Sequence, residues 1–409
     1  MAAEGRSPPG SDQRRSWSFR TRSPRGLRSA RGLDRCPPHR ALHRVGLGTM
    51  LFGTTLSEDE ARRLLDRAHL HHGVSFFDTA EMYPVPQSSA TQGDSERILG
   101  AWVRDRIRRG ALRREDVTVA TKVSGPCSEM PWIRGGPHRL DRAGIVASCE
   151  ASLLRLGLDH VDLLQLHWPD RYVPMFGDEL YDSARRFHSK PGETSADSFL
   201  EQLSALRDLE DRGLVRESGL SNETAWGLTR CAGLARESPG VARVARVQQC
   251  YSLLCRGLDQ NGGLRECCHE EGVSVIAYSP LAMGLLTGKY LPPEGRGAEA
   301  GYDRWGPPRA RLNLHRGRYS EAESRYPRDE RTTRAVQAYR ELAHKRGMSL
   351  TELSIRFVLS SEVVGTALLG CVDEAQLDEL CLYAGRGGLD RDALEEIDRV
   401  HAVHPSPTP

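Results

Sequence analysis

The chain has 409 residues, 38% hydrophobic and 27% charged, which is ordinary for a globular protein and ample for burying a large core. Lys and Arg number 57 against 55 Asp and Glu, so no overall field favours nucleic acid or an anionic membrane surface. No run approaches the roughly 20 apolar residues of a membrane-spanning helix, and the expectation is a soluble protein with a small neutral or mixed partner.

Residues 1–44 hold eleven Arg, no Lys and three acids among many Ser, Pro and Gly. Such a segment should not fold alone. Arg-rich, Ser-rich, acid-poor leaders look like organelle transit peptides, which would direct the protein to a chloroplast or another organelle. An untargeted tail on a cytoplasmic protein fits the same composition.

From Val45 onward short apolar runs alternate with helical patterns, which argues for repeated βα units and a parallel sheet. The first run is Arg44 to Gly48. Ser57 and Glu60 then make a capping box before Ala61, Leu64, Leu65 and Ala68 line one helical face, and Gly73 stops that helix. Further strands are expected at Val74 to Phe77, Val117 to Thr121, Val161 to Leu166, Leu214 to Leu220, Val244 to Gln248, Val273 to Ala277 and Thr366 to Leu369. Helices are expected at Asp141 to Leu156, with Gly157 as its cap, and at Ser198 to Arg212. Eight strands alternating with helices over this length point to one domain from 45 to 409, a closed (β/α)8 barrel. The long irregular stretches, Pro84 to Gly93, Ser124 to Leu140, Pro169 to Ala196 and Leu285 to Ser324, all follow strands, where such a barrel builds its active site.

The ten cysteines show no Cys-x-x-Cys pairing and suggest neither a disulfide framework nor a zinc site. Cys250 lies near Cys255, and Cys267, Cys268 and His269 are consecutive. Adjacent helical residues diverge by about 100°, so no metal is expected there, and a reducing compartment fits free thiols.

Four polar residues fall just past the ends of predicted strands. Asp78 follows Phe77, Lys122 follows Thr121, and His167 follows Leu166, while Tyr83 stands five residues after Asp78. A carboxylate and an ammonium at a barrel mouth can pair, and a short turn can return the Tyr83 hydroxyl over them. Each alone reads as an ordinary paired or hydrogen-bonded residue; four on three consecutive strand ends read as one site. Reducing a carbonyl needs a proton donor at oxygen and a hydride that no side chain supplies. Tyr83 suits the first role, Lys122 eases its proton's departure, and a neutral His167 can orient and polarise the carbonyl.

These residues, in the runs Phe77-Asp78-Thr79-Ala80-Glu81-Met82-Tyr83-Pro84, Lys122-Val123-Ser124-Gly125-Pro126 and His167-Trp168-Pro169, resemble the catalytic tetrad of the aldo-keto reductases, most closely the bacterial Tas-like branch and its plant and algal relatives. The resemblance runs from about Val45 to Tyr383. It implies a nicotinamide cofactor, NADPH by family habit with NADH as the alternative, and a small carbonyl substrate. By the same resemblance Ser221, Asn222 and Gln248 hold the nicotinamide carboxamide, Tyr278 stacks on its ring, and Thr49 and Met50 belong to the same cofactor site. Ser279, Leu281, Gly284 and Lys289 match the loop over the pyrophosphate, and Gly370, Gln376 and Glu379 the segment at the adenosine phosphate. Trp168 is expected to wall the substrate pocket. Val372 and Leu380 depart from the family, which often has Ser or Thr and Asn there. The N-terminal hairpin that usually plugs the barrel bottom is not recognisable before Val45. Relatives that bind cofactor and sense redox state as regulatory subunits provide an alternative to the enzyme, and a cofactor-free barrel lyase or isomerase a third. Substrate identity and oligomeric state are not readable from the sequence.

Overall fold

A computed structural model describes residues 42–408, apart from 137, 176, 179, 186–194, 261–262, 292–323 and 328. The leader up to residue 41 and much of the stretches Pro169 to Ala196 and Leu285 to Ser324 lie outside the described residues. Eight parallel strands close into a barrel: β1 (Val45–Gly48), β2 (Phe76–Asp78), β3 (Thr118–Val123), β4 (Val161–Leu166), β5 (Val215–Ser221), β6 (Val244–Cys250), β7 (Ser274–Tyr278) and β8 (Val364–Leu369). Each pairs with the next, and β8 pairs with β1. The fold is the expected (β/α)8 barrel.

Helices between the strands pack outside it. The capping box at Ser57 and Glu60 opens α1 (Glu58–Asp66), after which the chain continues as a π turn over Arg67–His71. Following α2 (Asp94–Arg108), the Asp141 side chain caps α3 (Arg142–Leu156), and Gly157 at φ 63° ends it. The helix expected from Ser198 is α4 (Ser195–Asp211), and α5 (Ala225–Glu237) and α6 (Gly263–Glu271) follow the next two strands. Two helices, α7 (Glu330–Lys345) and α8 (Leu350–Ser360), precede β8, and α9 (Glu374–Gly385) and α10 (Arg391–Val403) follow it. Between strands and helices lies the main core, in which Trp102 is fully buried and packs on Phe77.

β2 is shorter than expected, starting at Phe76 rather than Val74. Val74 instead gives its N–H to the Ala68 carbonyl at the end of the first helical segment, 2.9 Å away, so the helix end captures it. At the opposite rim, the Arg44 guanidinium donates to the carbonyls of Leu359, Ser361 and Val364 at 2.6 to 2.9 Å, tying the start of β1 to the α8–β8 turn.

Alternation along the strands sorts the barrel interior into layers, because every second residue points inward. Phe76, Ala120, Leu163, Ile276 and Leu368 form an apolar interior cluster. A β-carbon on Gly46 would come within 2.8 Å of Phe76 and 2.9 Å of Leu368, so that layer is filled. Two residues further along three of the same strands stand Asp78, Lys122 and Gln165, and the register sets Gln248 beside Ile276. A polar layer therefore rests on an apolar one at the C-terminal mouth. Lys122 lies within β3 rather than past its end, one residue before Val123 closes the strand.

Candidate active site

Lys122 is completely buried and Asp78 is 2% exposed. The Lys122 Nζ donates to Asp78 Oδ2 at 2.6 Å, to the Thr79 carbonyl at 2.8 Å and to Tyr83 Oη at 3.5 Å. Asp78 Oδ1 accepts from Gln248 Nε2 at 2.8 Å and from Gln165 Nε2 at 3.4 Å, so both carboxylate oxygens are engaged. Burial pushes the Lys122 ammonium below its ordinary pKa, and the Asp78 charge opposes that push. The ammonium also lies 4.8 Å from the centre of the Tyr83 ring.

Tyr83 reaches this position through a turn: its N–H bonds the Ala80 carbonyl, and its own carbonyl accepts from Gly93. The turn is anchored by Glu81, a buried carboxylate that receives the Ser124 N–H at 2.9 Å and the Arg134 guanidinium at 2.6 Å. Neither Glu81 nor Arg134 was expected to matter here. A charged residue inside the Asp78–Tyr83 run was a visible signal for Glu81, whereas Arg134, in an irregular loop, gave none.

His167 sits beyond β4, its N–H on the Val123 carbonyl at 2.9 Å, with its ring edge-on to Tyr83 at 5.8 Å between centres. Burial first, and then the Lys122 charge, hold its imidazole well below the usual pKa. It is therefore neutral at ordinary pH, and its Nδ1 has no hydrogen-bond partner among the described residues. Trp168 packs 5.0 Å from the His167 ring and donates from Nε1 to the Pro126 carbonyl at 3.0 Å.

A second network adjoins the first. Asn222, in the left-handed region at φ 54°, donates from Nδ2 to the His167 carbonyl at 2.8 Å and to Ser221 Oγ at 3.2 Å. Its Oδ1 accepts from the Tyr278 hydroxyl at 2.6 Å, and that hydroxyl in turn accepts from Arg325. Arg325 and Tyr326 were not expected from the sequence; they stand just after a long loop, and only the folded chain brings them to β7.

Asp78, Tyr83 and His167 line a cavity of about 700 Å³ at the mouth, with Trp168 on its wall. Ser221, Asn222, Gln248 and Tyr278 line the same cavity, as do Met50, Ser279, Leu281, Gly284, Lys289, Gly370, Gln376 and Glu379. Lys122 lies beneath it. Thr49 does not line it: buried, it gives both its N–H and its hydroxyl to the Asp78 carbonyl, at 2.9 and 3.1 Å. Between Ser279 and Gly288 the chain turns through left-handed conformations at Ser279, Ala282, Met283, Gly284 and Gly288. Gly284 stands at φ 97°, a left-handed conformation that a side chain would strain, and its bare backbone faces the end of the Lys289 side chain. At the far end, the Asp373 side chain caps α9 through the Gln376 N–H at 2.8 Å, and Val372 and Leu380 are also part of the lining.

A sequence model described as the aldo/keto reductase family matches residues 44–402. The chain belongs to that family. It is accordingly an NAD(P)H-dependent oxidoreductase acting on small carbonyl compounds. Escherichia coli protein tas is 36% identical to this aldo/keto reductase over 376 residues, covering 91% of this chain and 98% of its own. The chloroplastic pyridoxal reductase of Arabidopsis thaliana is 30% identical over 255 residues, 60% of this chain and 59% of its own. A probable voltage-gated potassium channel subunit beta of the same plant is 28% identical over 330 residues, 80% and 83% of the two chains. Among the described residues no helix is long and apolar enough to cross a membrane.

The depressed His167 pKa has a consequence for stability. The unfolded chain takes up a proton at His167 near the ordinary pH of about 6.5, while the folded chain, with its value lowered, does not. The unfolded state then binds more protons, so stability falls as pH drops below that value. Urea unfolding across pH 5 to 8 should show a shallower acid loss for His167→Gln than for the parent; equal slopes would mean the imidazole is not held neutral.

Proposed function

We propose that this chain reduces aldehydes or ketones to alcohols, with Tyr83 as proton donor and NADPH as the usual hydride source. The observation that carries the reading is the buried Lys122–Asp78 pair directly beneath the Tyr83 hydroxyl, in the cavity that Ser221, Asn222, Gln248 and Tyr278 also line. A dinucleotide fits this cavity chemically: amide and hydroxyl groups stand near the tetrad, an aromatic ring lies beside them, and Gly284 leaves room for the Lys289 cation. When bound, the reduced nicotinamide supplies a hydride.

The protein's part is to hold the carbonyl oxygen and give it a proton. His167, neutral and edge-on to Tyr83, offers one ring N–H to orient and polarise the carbonyl. Tyr83 donates its hydroxyl proton to the developing alkoxide, and the Lys122 ammonium 3.5 Å away stabilises the phenolate left behind. Asp78 keeps Lys122 charged and in place, and Gln165 and Gln248 keep Asp78 in place. Thr49 steadies the Asp78 backbone from below. Trp168 walls the substrate side.

Gly370, Gln376 and Glu379 are assigned to the adenosine end. Val372 and Leu380 in the same lining offer that end no side-chain hydrogen bond, so NADH is also accepted in this reading. A second reading, a cofactor-binding redox-sensing subunit with slow turnover, draws support from the relative named as a potassium channel subunit beta. Rapid dinucleotide consumption with a panel of aldehydes separates the two. Residues 1–44 are proposed as a transit peptide, supported by their composition and by the chloroplastic relative; fused to a fluorescent protein they should direct it to an organelle, and diffuse cytosolic fluorescence would refute this.

Replacing Tyr83 by Phe should lower the turnover number about 10²- to 10⁴-fold, the usual worth of a general acid, while dinucleotide affinity measured by fluorescence stays within about twofold of the parent, a few tenths of a kcal/mol. Undiminished turnover in that variant would sink the mechanism.

A further inference from the structure

Behind the Arg325–Tyr278 contact stands a pair of cysteines that the proposed reduction does not use. Cys250 ends β6 in register with Tyr278 of β7. Cys255 lies five residues on, across a turn closed by reciprocal backbone bonds between Ser252 and Cys255 at 3.0 and 3.2 Å. The Ser252 hydroxyl fixes that turn further by accepting the N–H groups of Leu254 and Cys255. Both thiols are buried, at 9% and 6% exposure. The Cys255 thiol reaches the Cys250 carbonyl at 3.9 Å, which sets the two cysteines against each other across the turn.

Cys250 sits in an unusual environment for a buried thiol. Its sulfur lies 4.0 Å from the Tyr326 hydroxyl and accepts from Arg325. The facing Cys255 thiol, with the Arg325 charge behind it, holds the Cys250 thiol below its ordinary pKa despite burial. Cys149, Cys268 and Cys381 show the opposite: burial, the largest cause in each case, helps push them up to about 12. Thiolate character is what makes a cysteine reactive, and here the thiolate faces a second thiol.

We propose that Cys250 and Cys255 are an oxidation site, a thiol pair that a peroxide closes reversibly into a disulfide in the wall of the cavity. The Cys250 thiolate attacks one oxygen of hydrogen peroxide; the O–O bond breaks, hydroxide leaves, and Cys250 becomes a sulfenic acid. The Cys255 sulfur then attacks the Cys250 sulfur, forming the S–S bond, losing its proton and expelling the sulfenic oxygen as water. In total two thiols give up two electrons and two protons, and one peroxide becomes two waters. The small oxidant suits a buried pair.

The oxidised pair acts on the site through Arg325 and Tyr326. Both residues line the cavity, and Arg325 donates to the Tyr278 hydroxyl that in turn holds Asn222. Oxidation removes the negative sulfur that faces the guanidinium, so Arg325 loses an acceptor and its hold on Tyr278 weakens. Dinucleotide affinity should then drop, a consequence that rests on the proposed function, whereas the disulfide chemistry does not.

Arg246 and Arg256 flank the pair, so trypsin releases both cysteines in one peptide. The full chain is treated with hydrogen peroxide, alkylated under denaturing conditions, digested and read by mass spectrometry. The expected peptide lacks two hydrogens and carries no alkyl group at either cysteine, and dithiothreitol restores both alkylations, while Cys231 is alkylated throughout. In Cys255→Ser, with Cys255→Ala as a second variant, dimedone should capture a sulfenic acid at Cys250. Full alkylation of Cys250 and Cys255 after peroxide, or dimedone on Cys127 in place of Cys250, would overturn the proposal. On the oxidised parent the NADPH dissociation constant should rise about tenfold, the equivalent of ~1.4 kcal/mol, with no change in peroxide-treated Cys250→Ser. An unchanged constant with the disulfide formed would overturn the link to the cavity. A reduced parent that binds no dinucleotide would instead refute the function proposed above and leave the oxidation site to the peptide map.

Discussion

A lysine with no exposed surface, bonded at 2.6 Å to an almost equally buried aspartate, sets the terms for everything at the mouth of this barrel. Removing two such charges from water costs several kcal/mol per ion, and close contact recovers that only if the remaining donors and acceptors are satisfied. Here they are: Lys122 also bonds the Thr79 carbonyl, and Asp78 takes Gln248 and Gln165 on its second oxygen. A pair of hydrophobic residues of the same volume would fold as well or better. The expense makes sense where a cation is needed under a hydroxyl, and Tyr83 Oη lies 3.5 Å from the ammonium.

The pair is placed by strand alternation. Because every second side chain faces the axis, the residues two positions beyond Phe76, Ala120 and Leu163 must face it too, and these are Asp78, Lys122 and Gln165. The apolar layer below excludes water from one side; the Tyr83 turn and His167 cover the other. Rigidity of the sheet thus becomes precision in the site, while the loops above can vary. The second network, from Arg325 through Tyr278 and Asn222 to the His167 carbonyl, couples β7, β5 and the residue after β4.

Much of this was legible in the chain. The capping box at Ser57, the glycine after α3 and the eight apolar runs specify local structure that the barrel retains, since local and global preferences agree there. The start of β2 was not, because whether Val74 joins a strand or a helix end depends on the Ala68 carbonyl, a tertiary partner. Neither was the extra helix pair before β8, whose first members follow a long irregular stretch. Three residues of the proposed tetrad stood out because charged and polar types closed apolar runs, and Tyr83 because it follows one of them by five residues. Arg134, Arg325 and Tyr326 are of the same chemical types, but they are brought to the mouth by turns and loops with no periodic signature. Thr49 shows the converse: it lies one residue past β1 as the cofactor-matching pattern requires, yet its hydroxyl points to the Asp78 backbone.

In the proposed reaction this cavity brings a nicotinamide hydride and the Tyr83 proton to one carbonyl group. Reduction of an aromatic aldehyde with NADPH carrying deuterium at the transferable C4 position tests it most directly, with the alcohol analysed by mass spectrometry. The account predicts one deuterium on the carbinol carbon of every product molecule and none when the label is in the solvent. Alcohol formed without the cofactor's deuterium, or carbon-bound label taken from solvent, would contradict it.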